Sequence, residues 1–482
     1  MELKLSEMAA LLGSRVVGRH KGSKTVALCT DSRALKKGQV FWALKGEKFD
    51  GHTFANEAFK SGGYAAVVDE SWMQGNAVAV NVYIPVKDTN QALLDLAAAY
   101  AARFRIPKVA VTGSNGKTTT KDMITRVLAK AGPTLSTQGN FNNQVGVPLT
   151  LFELKSRHRF AVIEMGTNHP GEIAPLSLCA RPNIAVVTNI GYSHLEHFGS
   201  KEKIRDEKLT ITAGFGGSKG PNGAKGPAAS KGQGTLILNV DDPLLAEVRA
   251  NSRQKLVTFG IDRGQIRPSD LTFDDDGCAS FRIGRTWFRL QVPGRHNVYN
   301  ALAAIAVGAQ LRIPKADIAS ALHSFTASKN RMQIKKLPGL TVLDDCYNAN
   351  PSSMRSALTT LGGMRAAGRR IAVLGDMLEL GPEGESLHAE MGRFLVEMGV
   401  DELFTFGQLS RHINAGAREK GMPRNRAHHF SDFDLMAGEL LKHLSQGDAI
   451  LVKASRGMKL ERVFEFLQAK AKAGALRMEE RA

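Results

Sequence analysis

No uninterrupted apolar run in this 482-residue chain approaches the roughly 20 residues that a membrane-spanning helix needs. The best candidate, Ala77 to Val86, is broken by Asn81, so no membrane span is expected. The opening stretch MELKLSEMAALLGSR sets Glu2 and Glu7 among its apolar residues and lacks a signal-peptide layout, which predicts a cytoplasmic protein. Cysteine is scarce: Cys29, Cys179, Cys278 and Cys346 lie far apart and form no CxxC pair. That absence argues against a zinc site built on such pairs and against a disulfide scaffold, and leaves all four thiols as packing residues. Acidic residues are the minority, 46 against 64 Lys and Arg, for a net charge of +18. A nucleic-acid partner would fit that sign, but no run of five or more basic residues occurs. The excess is spread along the chain and suits an anionic substrate carrying phosphates and carboxylates, so no nucleic-acid partner is expected.

What is present reads as a globular protein, with 43% hydrophobic and 23% charged residues. The length exceeds what one core supports. Three domains are predicted, at residues 1–104, 105–326 and 327–482. The first contains short apolar strands at Val40–Leu44 and Ala65–Val68, then a helix from about Gln91 to Phe104 that Pro107 ends. From Val109 onward, strand-like and helix-like stretches alternate, the pattern of βαβ units and a mostly parallel sheet. Strands are expected at Lys108–Thr112, Phe160–Glu164, Ile184–Thr188 and Thr235–Asn239. A second alternating pattern follows from near Ala327, with strands at Leu340–Leu343, Arg370–Leu374, Glu402–Phe406 and Asp448–Val452. Between the third and fourth strands of the first pattern, GFGGSKGPNGAKGPAASKGQG (Gly214 to Gly234) offers almost nothing to bury and reads as a flexible, disordered loop.

The chemistry concentrates in VTGSNGKTTTK, Val111 to Lys121. Gly113, Ser114, Asn115, Gly116, Lys117, Thr118 and Thr119 follow a strand and open a helix, the context a phosphate loop requires. Glycines let backbone N–H groups turn inward on a phosphate, and the helix N-terminus adds partial positive charge. Lys117 would bridge β- and γ-phosphates, and the Thr118 hydroxyl would ligate Mg²⁺. The generic motif wants glycine where Val111 stands. In FAVIEMGTNHPGEI, Glu164 ends an apolar strand and would face the ligand crevice, where it completes a Mg²⁺ site or merely caps the strand. His194, in VVTNIGYSHLEHFGS, taken alone reads more readily as structural, and SHLEHF does not match a zinc-protease helix. Lys208 lies on a helix turned toward the same crevice.

Taken in order, TGSNGKTTT, IEMG, TNIGYSHLEHFGS, VPGRHNVYNALAA and LDDCYNANPSSM resemble the Mur ligase family of bacterial peptidoglycan synthesis, over essentially the whole chain. Members carry G-[ST]-x-G-K-T, so Val111 is no longer an exception. The resemblance implies an α/β protein of three domains: one for a UDP-substrate, a central P-loop domain with a mostly parallel sheet, and a C-terminal Rossmann-like domain. DDCYNANP and VLGDMLELG resemble the family member that adds D-alanyl-D-alanine (D-Ala-D-Ala) to UDP-N-acetylmuramoyl-tripeptide. A folylpolyglutamate synthase, sharing the ATP core, is the alternative.

The same resemblance implies ATP and two Mg²⁺ ions as cofactors. Lys117 would hold the β/γ-phosphates; Thr118 and Glu164 would hold one Mg²⁺, and His194 a second. Lys208 would be carbamylated by CO₂ and present anionic oxygens to the metal. Adenine would meet His296, Asn297 and Asn300, although Asn297 also suits a helix cap. Arg331 would reach the ATP phosphates and Asp345 the ribose. Candidates for the UDP-substrate are Ser32, Arg33, Asp50 and His52, and for its peptide Thr137, Asn142 and Asn143. D-Ala-D-Ala would meet Asn348 and Asn350. Each Asn and Asp here has turn chemistry as a competing explanation. A monomer is expected.

Overall fold

The structure, a computed structural model, describes residues 3–47, 49–76, 80–192, 195–216, 234–251 and 254–474. His194 and most of the Gly/Lys-rich segment, residues 217–233, lie outside them. Three α/β units follow one another along the chain. The first has a four-stranded parallel sheet in the order Leu28–Cys29, Val40–Trp42, Ala65–Asp69, Tyr83–Val86. Helix Thr89–Ala101 leads out of it, started by Asp88, whose carboxylate accepts from the Gln91 N–H. This helix stops at Ala101, short of the expected Phe104, so its end is set before Pro107 comes into play.

The second unit holds six parallel strands in the order Gln254–Phe259, Gly234–Asn239, Ile184–Val187, Lys108–Thr112, Phe160–Glu164, Thr134–Ser136. Every residue of Lys108–Thr112 is buried, as expected of a strand covered by helices on both faces. Each fully buried Val or Ile in this core contributes about 1.5–3 kcal/mol. The chain leaves Lys108–Thr112 for neighbours on opposite sides, which makes its carboxyl end a switch point where a crevice opens. A three-stranded antiparallel sheet (Ser269–Phe273, Cys278–Ile283, Thr286–Pro293) follows; a search for parallel units passes over it. Its Thr286–Pro293 strand alternates exposed and buried positions and stacks Phe288 on Phe281 at 5.5 Å.

The third unit orders its strands Gln333–Leu337, Leu340–Asp344, Asp448–Lys453, Arg370–Gly375, Glu402–Phe406, Ala427–Phe430. All are parallel except the first, an antiparallel edge strand. Among the described residues no helix is long and apolar enough to cross a membrane. Cys179, Cys278 and Cys346 are buried and Cys29 half-buried, all as free thiols.

Candidate active site

The crevice at the switch point widens into a cleft of about 1660 Å³ between the second and third units. The phosphate loop forms its floor. Gly113 and Gly116 adopt φ of +148° and +78°. At Gly116 a side chain would also collide, because an added Cβ would lie 2.5 Å from Asn300 Oδ1. The loop is fastened by a residue the sequence reading passed over: Asn189 accepts from the Asn115 N–H at 2.9 Å and donates to its carbonyl at 3.1 Å. Thr188 donates to the same carbonyl at 2.6 Å. Helix Lys117–Ala129 starts directly at the loop, and the Lys117 ammonium folds back to donate to the Gly113 and Ser114 carbonyls at 2.8 and 3.2 Å. Burial lowers its pKa; Glu164 opposes that shift and Arg331 adds to it.

Glu164, 2% exposed, ends its strand beside the loop. Its Oε1 accepts from Asn142 at 2.8 Å, while Oε2 is buried without a hydrogen-bond partner. A buried carboxylate oxygen left unpaired is costly unless a cation meets it. With the Thr118 hydroxyl and the loop nearby, this donor set is the all-oxygen kind that suits Mg²⁺. Thr137 does not line the cleft; it is fully buried, and its Oγ1 accepts from the Glu164 N–H at 3.0 Å. Behind it, the buried Lys121 donates to the Thr137 carbonyl at 2.7 Å. Asn143 reaches the cleft but spends its Oδ1 on the N–H groups of Val145 and Gly146.

Lys208 lies on helix Lys201–Leu209, 2% exposed and behind the cleft wall. Burial first, and the Lys117 ammonium second, push its pKa well below the ordinary lysine value, against the pull of Glu207.

Asn297 and Asn300 sit on helix Arg295–Gln310, at the cleft wall. Asn297 is not the helix cap: Gly294 holds that position, and the Asn297 amide donates to the Pro293 carbonyl at 2.7 Å. Its Oδ1 accepts from Asn300, whose own Oδ1 accepts from Thr120 at 3.0 Å. Both amides are thus committed to tying this helix to the phosphate-loop helix. His296 lines the cleft with Nδ1 buried and unpartnered. Burial brings its pKa down to about 4, with Asp345 raising it and Lys453 lowering it.

The third unit closes the cleft. Arg331 lies 3.7 Å over the Tyr347 ring, between Asn330 and Met332, which both hold positive φ. Asp345 is engaged at 2.5 Å by Lys453, itself buried at the carboxyl end of strand Asp448–Lys453. A lysine directly after the apolar run Ala449–Val452 was the available signal for Lys453. Asn350 caps helix Pro351–Gly363 in a capping box with Ser353 and donates across to Asn115 Oδ1 at 2.9 Å. The neighbouring Asn348 turns its Oδ1 onto the Ala349 N–H.

The candidates in the first unit stand apart: Ser32, Arg33, Asp50 and His52 do not line this cleft. Arg33 forks onto Asp31 at 2.9 Å on the surface. His52 is 2% exposed and has a structural task. Its Nε2 accepts from the Asp69 N–H, which puts the ring proton on Nδ1 facing Asp50 at 2.6 Å. With both nitrogens spent, His52 has nothing left for a ligand.

A phosphate loop at a switch point, opening onto a cleft that a second α/β unit closes, defines the class: the chain belongs to the Mur ligase family. Three family models match in succession: Mur ligase family catalytic domain at residues 24–101, Mur ligase middle domain at 111–308, and Mur ligase glutamate ligase domain at 330–456. Within that class, the curated relatives that the chain resembles over nine-tenths of its length share one name. UDP-N-acetylmuramoyl-tripeptide–D-alanyl-D-alanine ligase of Bacillus subtilis is 38% identical over 91% of this chain and 92% of its own length. The Escherichia coli enzyme of the same name is 34% identical over 92% and 93%. Among solved structures, MurF from Acinetobacter baumannii matches with a TM-score of 0.85 at 30% identity, covering 98% and 99% of the two chains. MurF from Thermotoga maritima in complex with ADP gives 0.79 at 27% identity over 93% and 98%. These relatives favour the muramyl-peptide reading over the folate alternative.

Proposed function

We propose that this chain joins D-Ala-D-Ala to UDP-N-acetylmuramoyl-tripeptide at the expense of ATP, in the cytoplasm and as a monomer. One observation carries the reading. The Asn350 side chain that begins the third unit's first helix touches Asn115 of the phosphate loop, so phosphate chemistry and an incoming amine share one cleft. The first unit, ending near residue 104, takes the UDP end of the substrate. The unit starting near 327 brings the dipeptide.

A carboxylate cannot become an amide directly, because oxide would have to leave. Here the tripeptide's terminal carboxylate attacks the γ-phosphorus of ATP, the bond to the β-bridging oxygen breaks, and ADP leaves with an acyl phosphate formed. The dipeptide amine attacks the acyl carbon, loses a proton, and inorganic phosphate departs with the former C–O bond's electrons. Positioning and electrostatics carry such steps. Lys117 exchanges its loop carbonyls for phosphate oxygens, and Arg331 adds a second cation from across the cleft. Bound Mg²⁺ supplies neutralisation of phosphoryl charge. Thr118 and Glu164 would hold one ion, the unpartnered Glu164 oxygen supporting that assignment. A second ion is assigned to His194 with Lys208. Carbamylation of Lys208, in which the amine adds CO₂ and releases a proton, would put an anionic carbamate where an ammonium would repel the ion. His296, beside the amide-locked helix start, meets the nucleotide base, and Asn142 and Asn348 face the peptide ends.

The test is phosphate release from Mg-ATP. Release that needs both UDP-N-acetylmuramoyl-tripeptide and D-Ala-D-Ala, with the pentapeptide product seen by mass, is expected. Turnover with folate and glutamate instead would move the chain to the sister branch.

A further inference from the structure

At the opposite rim of the third unit's sheet, away from the cleft, two histidines converge on one carboxylate oxygen. Glu402 opens its strand, and His428 is the second residue of the neighbouring parallel strand. Residues alternate faces along a strand, so Glu402 and Phe404 share a face with His428 and Phe430. Helix Phe433–His443 packs across that face, and its last residue drops His443 beside them. His443 Nδ1 lies 2.5 Å and His428 Nε2 3.2 Å from the same Glu402 Oε1. Lys453, at the carboxyl end of a strand two places along the sheet, faces the cleft, whereas none of these three residues lines it.

We propose that Glu402, His428 and His443 form a binding site for a divalent transition ion of the zinc type, separate from the ATP-site metals.

Three features support this. The three donor atoms lie within 4.8 Å of one another, and two imidazoles with one carboxylate are a familiar three-ligand set for zinc, unsuited to Mg²⁺. The surroundings also orient the ligands. Arg369 holds the other Glu402 oxygen and the backbone carbonyl of His443, and is itself held by Asp448 at 2.9 Å. Glu439 Oε1 faces the far nitrogen of His443 at 3.3 Å. A carboxylate behind a ligating imidazole fixes its tautomer and raises its basicity. Finally, charge favours a cation. The carboxylates of Glu402, Glu439 and Asp448 face two cations, Arg369 and Lys442, which leaves one negative charge before the histidines are counted. Phe404 stacks on His428 at 4.7 Å and walls one side, while both histidines keep an exposed edge through which water can complete the coordination.

The experiment is equilibrium dialysis of the full chain against Zn²⁺ in a large excess of Mg²⁺ with ADP, so that the oxygen-lined nucleotide site is already filled. Co²⁺ under the same conditions reports imidazole coordination by its visible bands. Expected is one Zn²⁺ per chain, lost in His428→Gln/His443→Gln, and bound about 10-fold or more weakly in Glu439→Gln. Ligase turnover stays unchanged in both variants, since none of these residues lines the cleft. If the double variant does not fold, His428→Gln alone must show the loss. Equal Zn²⁺ in wild type and variants, or none in a folded wild type, would overturn the site and leave a hydrogen-bonded imidazole–carboxylate brace.

Discussion

Glu164 is held from two sides, by Asn142 on one oxygen and by Thr137 on its backbone, while its second oxygen faces no partner. Glu164→Gln removes a charge that is costly when uncompensated, so the variant is expected to melt no lower than wild type. Its Mg-ATP turnover should nevertheless fall by about 10²-fold or more, on the scale of losing one preorganised charge contact. Phosphate release and a thermal melt on the same sample decide this. Lys208→Ala is expected to abolish turnover, with partial rescue by short carboxylates that would stand in for the proposed carbamate; a fully active alanine variant would remove Lys208 from the chemistry. His296 carries a pH signature. Its folded pKa of about 4 lies below the ordinary histidine value of 6.5, so the unfolded chain binds more protons between those values. Stability should therefore rise with pH through that window and fall on acidification. His296→Gln should flatten that limb in urea melts taken across it.

Placement was legible where one side chain type has few other uses: Lys117, Thr118 and Glu164 all line the cleft. They were least legible for amides and histidines. His52 is engaged by Asp50 and the Asp69 N–H, Asn297 by the Pro293 carbonyl and Asn300, and only coordinates reveal those commitments. Asn189 gave no signal because the loop it fastens lies about 74 residues away in sequence.

At the scale of elements, the loop and the helix it opens stand or fall together. Gly116→Ala meets two obstacles, a left-handed φ and the Asn300 oxygen at 2.5 Å. The conformation alone costs about 1–2 kcal/mol. The expected result is a lower melting temperature together with weakened ADP binding by calorimetry; retention of both would show that the loop tolerates a side chain. The buried parallel strands were readable because apolar runs covered on both faces look alike wherever they occur. Lys108–Thr112, Phe160–Glu164 and Glu402–Phe406 match their expected limits. The antiparallel sheet from Ser269 to Pro293 was missed because its first strand is mostly exposed and carries little apolar periodicity. Edge strands Gln333–Leu337 and Ala427–Phe430 were missed because lysines in one and two histidines in the other interrupt their apolar pattern.

Across the whole molecule, the cleft is assembled from two units that meet at few direct bonds, Asn350 to Asn115 among them. Ligands that fill it should hold those units together and raise the melting temperature by mass action, about 2.7 kcal/mol at a hundredfold excess over Kd. ADP is expected to do so strongly and AMP weakly, as a thermal-shift titration would read. The reason lies in where Lys117 rests. Its ammonium already answers two carbonyls of its own loop, so an arriving molecule must outbid them. A base and a sugar alone give it no cause to move, whereas a β-phosphate does. The loop would thereby test its visitors for a second phosphate before the far wall of the cleft has any reason to close, and a nucleoside monophosphate would not pass.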